Sequence, residues 1–227
     1  MKFNKIISKK RLEKLCLKEN IINIDHNNYY DLVNICCGLY YPLKNFCDLK
    51  SLNSIIKKNK LIDGSSWTIP ILLNFSGKIK NFKKDFFYKI KFRKKIVGCI
   101  KYKNYFSINK KSFTKKIFST NSIKHPGVKN FFKKKNIFIT GDVFMIKEAI
   151  PIQKNFDYAR SIKMKYNKTV LKKSAAFSTR NICHNGHSFI HNHVMKKIKK
   201  LFIIILITPN NKYNPNIIFK TYNIIKK

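Results

Sequence analysis

Residues 174–207 read SAAFSTRNICHNGHSFIHNHVMKKIKKLFIIILI, and this stretch decides the fold of the second half of the chain. Its first segment, SAAFSTRN, contains the end of an apolar strand. LFIIILIT has the continuous apolar character of a fully buried strand in a parallel sheet. Between them, a helical pattern places one apolar face toward the sheet. Strand, loop, helix and strand make a βαβ unit, which predicts an α/β fold of the Rossmann-like type. The residues expected on the helix face are Phe189, Ile190, Val194, Ile198 and Leu201.

The loop of this unit, Ser178 to His187, carries the candidate site. In open α/β sheets anions bind where a strand ends and the next helix begins, because free backbone N–H groups and the positive end of the helix dipole converge there. Arg180 offers a planar fork to a tetrahedral oxyanion. His184 and His187 flank Gly186 at a spacing of i and i+3, which puts both rings on one side of the first helical turn. The glycine permits close approach of a phosphate to the backbone.

Three other interpretations compete for these histidines. Zinc binding through His184, His187 and either His191 or His193 is sterically imaginable, but no glutamate follows a histidine as in HExxH. A nucleophilic pair of Cys183 with a histidine needs side chains that face each other, which sequence neighbours need not do. In the third interpretation the histidines only cap and solvate the start of a helix. The HxGH pattern by itself indicates nucleotidyl-transfer chemistry without indicating a substrate.

Upstream, the sequence predicts a β-rich first domain. From Asp31 to about Ser76 we expect two short helices separated by CGLYYPLKNF, then a turn at Asp63-Gly64 and a β-rich run from Trp67 to Phe75. Three further segments, FFYKIKF, KIVGCIKY and YFSI, alternate apolar residues with lysine as strands do. The polar stretch from Gln153 to Lys173 is the best candidate for the domain boundary.

The charge of the chain is extreme but evenly spread. The 227 residues carry a formal net charge of +39 and are 44% hydrophobic, which is enough to bury a core. A nucleic-acid surface would explain such a charge. However, only four of the 49 basic residues are arginine, and the lysines do not gather beside aromatic platforms. Drift of an A/T-rich coding sequence is therefore favoured, and we expect no specific binding of nucleic acid.

Other features predict a cytoplasmic protein without a membrane segment. The longest apolar run, Leu201 to Ile207, is far below the roughly 20 residues needed to cross a bilayer. The basic N-terminus lacks the apolar core of a signal peptide. The six cysteines contain no CxxC pair, so reduced and mostly buried thiols are expected.

Five segments together resemble one enzyme family. STRNICHNGH is similar to the QxRN and HxxH signatures of single-chain ATP sulfurylase (sulfate adenylyltransferase). CGLYYPLKNF resembles that family's G-F-x-P-L-x-G-F segment, LIDGSSWTIPILL its D-G-x-x-W-P-I-P-I run, and KHPGVKNFF its H-P-G-V element. ITPNNKYNPNIIFKTYNII is similar to the H-P-L-V-G stretch and the helix after it. The blocks occur in the family's order from Asp31 to the C-terminus, and together they are far more specific than any one of them.

The resemblance implies a PUA-like β-rich domain at residues 1–155 and the first part of a Rossmann-like nucleotidylyltransferase domain at residues 156–227. The implied reaction transfers AMP from ATP to sulfate and gives adenosine 5′-phosphosulfate (APS) and pyrophosphate, with Mg²⁺ bound to the nucleotide and no protein-bound metal. A sulfate oxygen attacks the α-phosphorus directly. The resemblance implies Ser178 and Arg180 as sulfate-binding residues, and Asn181, His184, Gly186 and His187 as ATP-binding residues. The implied catalytic residues are Arg180, Asn181, His184 and His187.

The sequence also departs from the family pattern. Ser178 replaces the glutamine of QxRN, Ile182 the following proline, and Thr208 the histidine of H-P-L-V-G. The sequence ends before the family's G-R-D-H loop, so we expect a shortened catalytic domain that self-associates, needs a second chain or has lost activity. A non-catalytic remnant and an RNA-binding PUA-like module are the alternative functions.

Overall fold

The computed structural model describes residues 5–16, 21–77, 82–151 and 172–205, together with Ile217, Lys220 and Tyr222. The chain divides into two compact units, Met1–Arg160 and Ser161–Lys227. The predicted boundary after residue 155 lies outside the described residues and stays a prediction.

The first unit is built on one mixed sheet of six strands. The strands are β1 (Ile6–Ile7), β2 (Ile21–Ile24), β3 (Leu73–Asn74), β4 (Phe87–Phe92), β5 (Lys95–Phe106) and β6 (Phe138–Ile146). Their order in the sheet is β1-β6-β5-β4-β2, with β3 also paired to β6. β1 and β2 run parallel to their neighbours, and the other pairs are antiparallel. The helices are α1 (Lys9–Leu15), α2 (His26–Cys36), α3 (Leu49–Lys58), α4 (Lys110–Phe118) and α5 (Pro126–Lys133), and a 3-10 turn spans Lys147–Ala149.

The two faces of this sheet are covered by different helices. Alternate residues of a strand point to opposite faces, so Cys99 and the next residue, Ile100, enter different clusters. Ile100 belongs to the main core, which includes Leu32 and Ile35 of α2. Cys99 packs with Leu12 and Cys16 around α1. These buried side chains are what hold the β-rich unit together.

The two predicted helices between residues 31 and 76 are confirmed by α2 and α3, but the strand prediction there was too long. Only Leu73–Asn74 of the run from Trp67 to Phe75 is a strand. The segments KIVGCIKY and YFSI, predicted as separate strands, belong largely to one long strand, β5, whose register against β6 shifts between Tyr102 and Asn104.

The CGLYYPLKNF segment is a packing element. Gly38 has a left-handed backbone (φ 80) that ends α2, a conformation that costs glycine little. Further on, Asn45 accepts a hydrogen bond from the Val143 backbone N–H (3.1 Å) and donates one to the Asp142 carboxylate (2.9 Å). The segment is thereby tied to β6.

The second unit contains the predicted βαβ arrangement. β7 (Ser174–Thr179) and β8 (Lys200–Ile205) pair in parallel, and α6 (Asn185–Met195) lies between them in the chain. The predicted apolar face of the helix was wrong, because α6 ends at Met195 and Leu201 is already in β8. Phe189 is 74% exposed, whereas His191 is 4% exposed and is the buried residue of α6. β8 is not fully buried either, since Ile204 is 48% exposed.

No helix among the described ranges is long and apolar enough to span a membrane.

Candidate functional site

The loop from Arg180 to His184 connects the carboxyl end of β7 to the start of α6. Thr179 is buried at the end of the strand, and its Oγ1 accepts a hydrogen bond from the Asn181 backbone N–H at 3.1 Å. This contact turns the chain out of the sheet. The loop thus begins where an open α/β sheet places anionic ligands.

His184 occupies the N-cap position of α6 without capping it. Its backbone is extended (φ −135, ψ 173), and its side chain makes no hydrogen bond to the first turn. The first backbone N–H groups of a helix have no partner within the helix. An anion can therefore bind them here and gain from the helix dipole.

The two predicted histidines come together. The rings of His184 and His187 stack with their centroids 3.9 Å apart and their planes at 27°. A Cβ on Gly186 would lie 3.2 Å from Cε1 of His184 and 3.3 Å from its Nδ1. The glycine thus makes room for the His184 ring over the first turn. This is a role for Gly186 in addition to the predicted close approach of a ligand.

The other predicted residues, Ser178 near the end of β7 and Arg180 and Asn181 in the loop, have a different environment. The side chains of Ser178, Arg180 and Asn181 are exposed. Within the described part of the chain, no hydrogen bond or ring contact joins these three side chains to the two histidines. Their roles at the site therefore stay predictions.

Tyr222 and His191 pack near His187, and the sequence analysis did not predict that either residue would hold the His187 ring in place. The Tyr222 hydroxyl is 2.9 Å from Nδ1 of His187, and Tyr222 is only 3% exposed. His191 packs edge-on against Phe177 with ring centroids 4.6 Å apart, and it lies 5.7 Å from the Tyr222 ring. The spacing of i and i+4 from His187 to His191 was the available signal for one of them. Nothing in the sequence pattern alone pairs Tyr222 with a residue 35 positions earlier.

The pKa values of two histidines are lowered by their surroundings. Burial lowers the pKa of His187, the neighbouring His184 lowers it further, and a hydrogen bond to the Ile182 carbonyl opposes both. Burial and the neighbouring His187 lower the pKa of His191. Both rings are therefore held in the neutral form at neutral pH.

These shifts predict that acid destabilises the second unit. The unfolded chain, with histidine pKa values of about 6.5, binds protons more readily than the folded chain. Stability should therefore fall as the pH drops below that value and level off below the folded pKa values. Urea unfolding followed by NMR signals of α6 at a series of pH values measures this. His191→Phe keeps an aromatic ring and should flatten the slope; an unchanged slope would contradict the prediction.

The alternative interpretations gain no support from the geometry. In the ranges that the structure describes, no group of three or more His, Cys, Asp or Glu side chains is arranged to hold a metal. The Cys183 sulfur lies 3.9 Å from the His184 carbonyl oxygen, and burial raises the pKa of the Cys183 thiol. A raised pKa leaves less thiolate, which is the nucleophilic form.

The family model of the PUA-like domain matches residues 3–148. The chain belongs to the PUA-like domain family. This match covers the β-rich sheet of the first unit.

Relatives extend the similarity into the second unit. The chain is 27% identical to the sulfate adenylyltransferase of Ignicoccus hospitalis over 184 residues, which cover 80% of this chain and 48% of the relative. The sulfate adenylyltransferases of Pyrococcus abyssi (25% over 207 residues, 90% and 54%) and Staphylothermus marinus (25% over 232 residues, 99% and 60%) are similar. The PUA-like protein is thus a divergent ATP sulfurylase-like protein, as predicted. It spans about half the length of the curated relatives it matches.

A solved structure supports the fold. The hexameric APS kinase from Thiobacillus denitrificans matches with a TM-score of 0.65 at 14% identity, over 98% of this chain and 42% of that one. At this identity the likeness concerns the fold alone. With the family match, it confirms the predicted PUA-like unit followed by an α/β unit.

Proposed function

We propose that this PUA-like protein is a sulfate adenylyltransferase of sulfate assimilation, transferring AMP from ATP to sulfate to give APS and pyrophosphate. The observation that carries the proposal is the stacked pair of His184 and His187 at the uncapped start of α6. The pair lies where the loop that carries Arg180 ends and α6 begins, after the parallel strand β7. The similarity to sulfate adenylyltransferases adds the substrate class.

The chemistry needs no nucleophile from the protein. A sulfate oxygen forms a bond to the α-phosphorus, the bond from that phosphorus to the bridging oxygen breaks, and pyrophosphate leaves with the electron pair. Negative charge grows on the leaving group, so fixed hydrogen-bond donors near it lower the barrier. Catalysis by orientation and charge stabilisation suits a loop that contains donors but no activated nucleophile.

Each predicted site residue has a role in this proposal. Arg180 binds sulfate through two parallel N–H bonds, and the Ser178 hydroxyl adds a third donor. Asn181 orients the α-phosphate. The N–H groups of His184 and His187, together with the backbone at Gly186, bind the phosphates and stabilise pyrophosphate as it departs.

Mg²⁺ would come to this site on the nucleotide. The described residues of the second unit include no aspartate or glutamate, and carboxylates are the side chains that Mg²⁺ prefers. The phosphates of ATP would supply the ligands, and the ion would screen their charge. The protein's own part is to orient the nucleotide.

We further infer that residues 1–155 form the PUA-like domain and that residues 156–227 form the first part of the adenylyltransferase domain. Self-association, or a second chain that contributes to the site, is part of this proposal, and the APS kinase that shares the fold is hexameric. All six cysteines are free thiols, which supports a reducing, cytoplasmic location.

The test is ATP formation from APS and pyrophosphate by the purified, folded chain, because this direction runs downhill. We expect ATP production that requires both substrates and Mg²⁺. A folded chain that makes no ATP, alone or at high concentration, would overturn the proposal. A non-catalytic remnant or an RNA-binding module would then become the leading alternative.

A further inference from the structure

The rings of His184 and His187 lie too close together to carry two protons unless a negative charge is near. Their centroids are 3.9 Å apart, and their planes are inclined at 27°. Two imidazolium rings at this distance repel each other, and the repulsion grows where protein replaces water around them. Loss of one proton ends the repulsion. Without a counter-charge, the pair therefore holds no more than one proton near neutral pH.

The second unit has no side-chain carboxylate that could supply this counter-charge. Residues 161–227 contain 13 lysines and one arginine but no aspartate or glutamate. The unit therefore cannot stabilise a protonated histidine with a carboxylate of its own, which is a common way of favouring the charged form. The counter-charge for two protonated rings has to come from outside the unit, and a bound anion can supply it.

The titratable groups around the pair carry no negative charge at neutral pH. The Tyr222 hydroxyl lies 2.9 Å from Nδ1 of His187, and burial raises the pKa of Tyr222. Burial also raises the pKa of Cys183, which directly precedes His184. The His191 ring lies 6.3 Å from that of His187, centroid to centroid, and burial lowers the pKa of His191. A phenol, a thiol and a neutral imidazole do not offset a proton on the pair.

The charged side chains on the neighbouring segments are cations. They are Arg180 in the loop, Lys196 directly after α6 and Lys220, two residues before Tyr222. β7 has no charged residue, and its Phe177 packs edge-on against the His187 ring with centroids 5.1 Å apart. These neighbours add positive charge or none, so they too oppose a second proton on the pair.

We propose that the pair of His184 and His187 takes up a proton when a polyphosphate binds at the start of α6. This inference rests on the proposed function, because the polyphosphate is the pyrophosphate, or the triphosphate of ATP, that the site is proposed to hold. His184 and Gly186 are exposed, so an anion can reach the pair and the uncapped first turn. The phosphate charge then takes the place of the missing carboxylate, and both rings donate N–H groups to it. The proton comes from the solvent.

This coupling gives polyphosphate binding a pH dependence of one sign. The ligand raises the pKa of the pair, and by linkage each unit of that rise makes pyrophosphate bind about tenfold more tightly to the protonated pair. The gain is complete below the pKa of the free pair and is lost as the pH rises through the pKa of the bound pair. Loss of the proton thus favours release of pyrophosphate.

The test is a pH titration of the histidine ring signals of the full chain by ¹H–¹³C NMR, with and without saturating pyrophosphate. His184→Gln and His187→Gln assign the two signals. Without ligand, the second proton should bind to the pair only well below about pH 6.5, the ordinary histidine value. Pyrophosphate should raise that pKa by about one to three units, as an adjacent opposite charge does. Failure of pyrophosphate to bind, or binding without this rise, would overturn the proposal.

Two histidines outside the pair are internal controls. His26 is exposed at the start of α2, and His193 is exposed near the end of α6, six residues or about 9 Å beyond His187. At about 0.15 M salt, exposed charges more than about 8 Å apart are largely screened. Pyrophosphate held at the pair should therefore leave both titrations unchanged. Equal shifts of all the histidines would indicate non-specific binding to lysines and would contradict the proposal.

His184→Phe separates charge repulsion from burial, because it keeps a ring beside His187 and removes the ionisable group. Without ligand, the pKa of His187 should be higher in this variant than in wild type. His184→Gln also removes the charge and should act in the same direction, so it provides the test if His184→Phe does not fold. If the His187 titration were the same in wild type and in both variants, the two rings would not repel each other and the proposal would fail.

The titration is independent of turnover. If the chain makes no ATP from APS and pyrophosphate, the proposed function fails, while the titration still decides whether the pair is a proton-coupled polyphosphate site. If the chain is active and pyrophosphate leaves the pKa of the pair unchanged, only the proton coupling fails.

Discussion

Replacing Arg180 with alanine is expected to lower ATP formation from APS and pyrophosphate by at least about a hundredfold, the usual cost of losing one directed donor to an anionic transition state. The Arg180 side chain is exposed at the end of β7, so its loss should not destabilise the fold. Arg180→Lys should recover little, because an ammonium cannot reproduce the planar fork that binds a tetrahedral oxyanion through two bonds. Initial rates at varied APS concentration measure the effect.

The matched control is Arg11→Ala. Arg11 is also exposed, lies on α1 in the first unit, and its loss changes the net charge by the same amount. It should retain full activity, which separates a local role of Arg180 from a general effect of charge. If Arg180→Ala, with wild-type circular dichroism, kept more than half of the activity, Arg180 would not be the sulfate ligand.

The βαβ unit could be predicted because its information is local. A continuous apolar run predicts a strand from composition alone, and β7 and β8 do pair in parallel, although β8 is less buried than the run predicts. The buried face of α6 could not be predicted so well, because it depends on where the helix ends. The sequence pattern predicted Phe189 on the buried face, yet His191 is the buried residue of α6. A histidine can take that position because aromatic partners, including Phe177, surround it.

Strand lengths in the first unit show the same limit. KIVGCIKY and YFSI are separated by polar residues, so the sequence pattern predicts two strands with a break between them. In the structure β5 passes through that break with a shift of register between Tyr102 and Asn104. A bulge absorbs an irregular residue while the ladder continues on both sides. The partner strand, which a local pattern does not contain, decides the outcome.

The candidate site also contains one contact that local sequence predicts and one that it does not. The meeting of His184, at the N-cap of α6, with His187, in its first turn, agrees with their spacing of three residues, and the structure shows it directly. The contact of His187 with Tyr222 joins residues 35 positions apart and depends on tertiary packing. Sequence patterns therefore predict contacts between near neighbours in the chain better than contacts between distant segments.

Gly98→Ala is expected to destabilise the first unit by about 3 kcal/mol, at the upper end of the usual cost of overpacking. A Cβ at Gly98 would lie 2.1 Å from the Phe144 backbone oxygen, and this oxygen belongs to β6, in the centre of the sheet. Gly98 is also next to a bulge: Ile96 pairs with Lys91 and Gly98 with Ile90, which leaves Val97 as an extra residue. The added methyl group would have to push β5 and β6 apart. For a unit of this size, the melting temperature should fall by about 10 °C.

Gly127→Ala is the matched control, because it adds the same methyl group where the structure can adjust. The atoms that its Cβ would approach belong to the side chains of Phe118 (2.8 Å) and His125 (3.1 Å), and these rings can move. Gly127 also lies in α5, where alanine is favoured over glycine by about 1 kcal/mol. We expect a change in unfolding free energy within about 1 kcal/mol, measured by urea unfolding monitored through Trp67 fluorescence. If Gly98→Ala unfolded at the same urea concentration as Gly127→Ala, β5 and β6 could not be as close at Gly98 as this register requires.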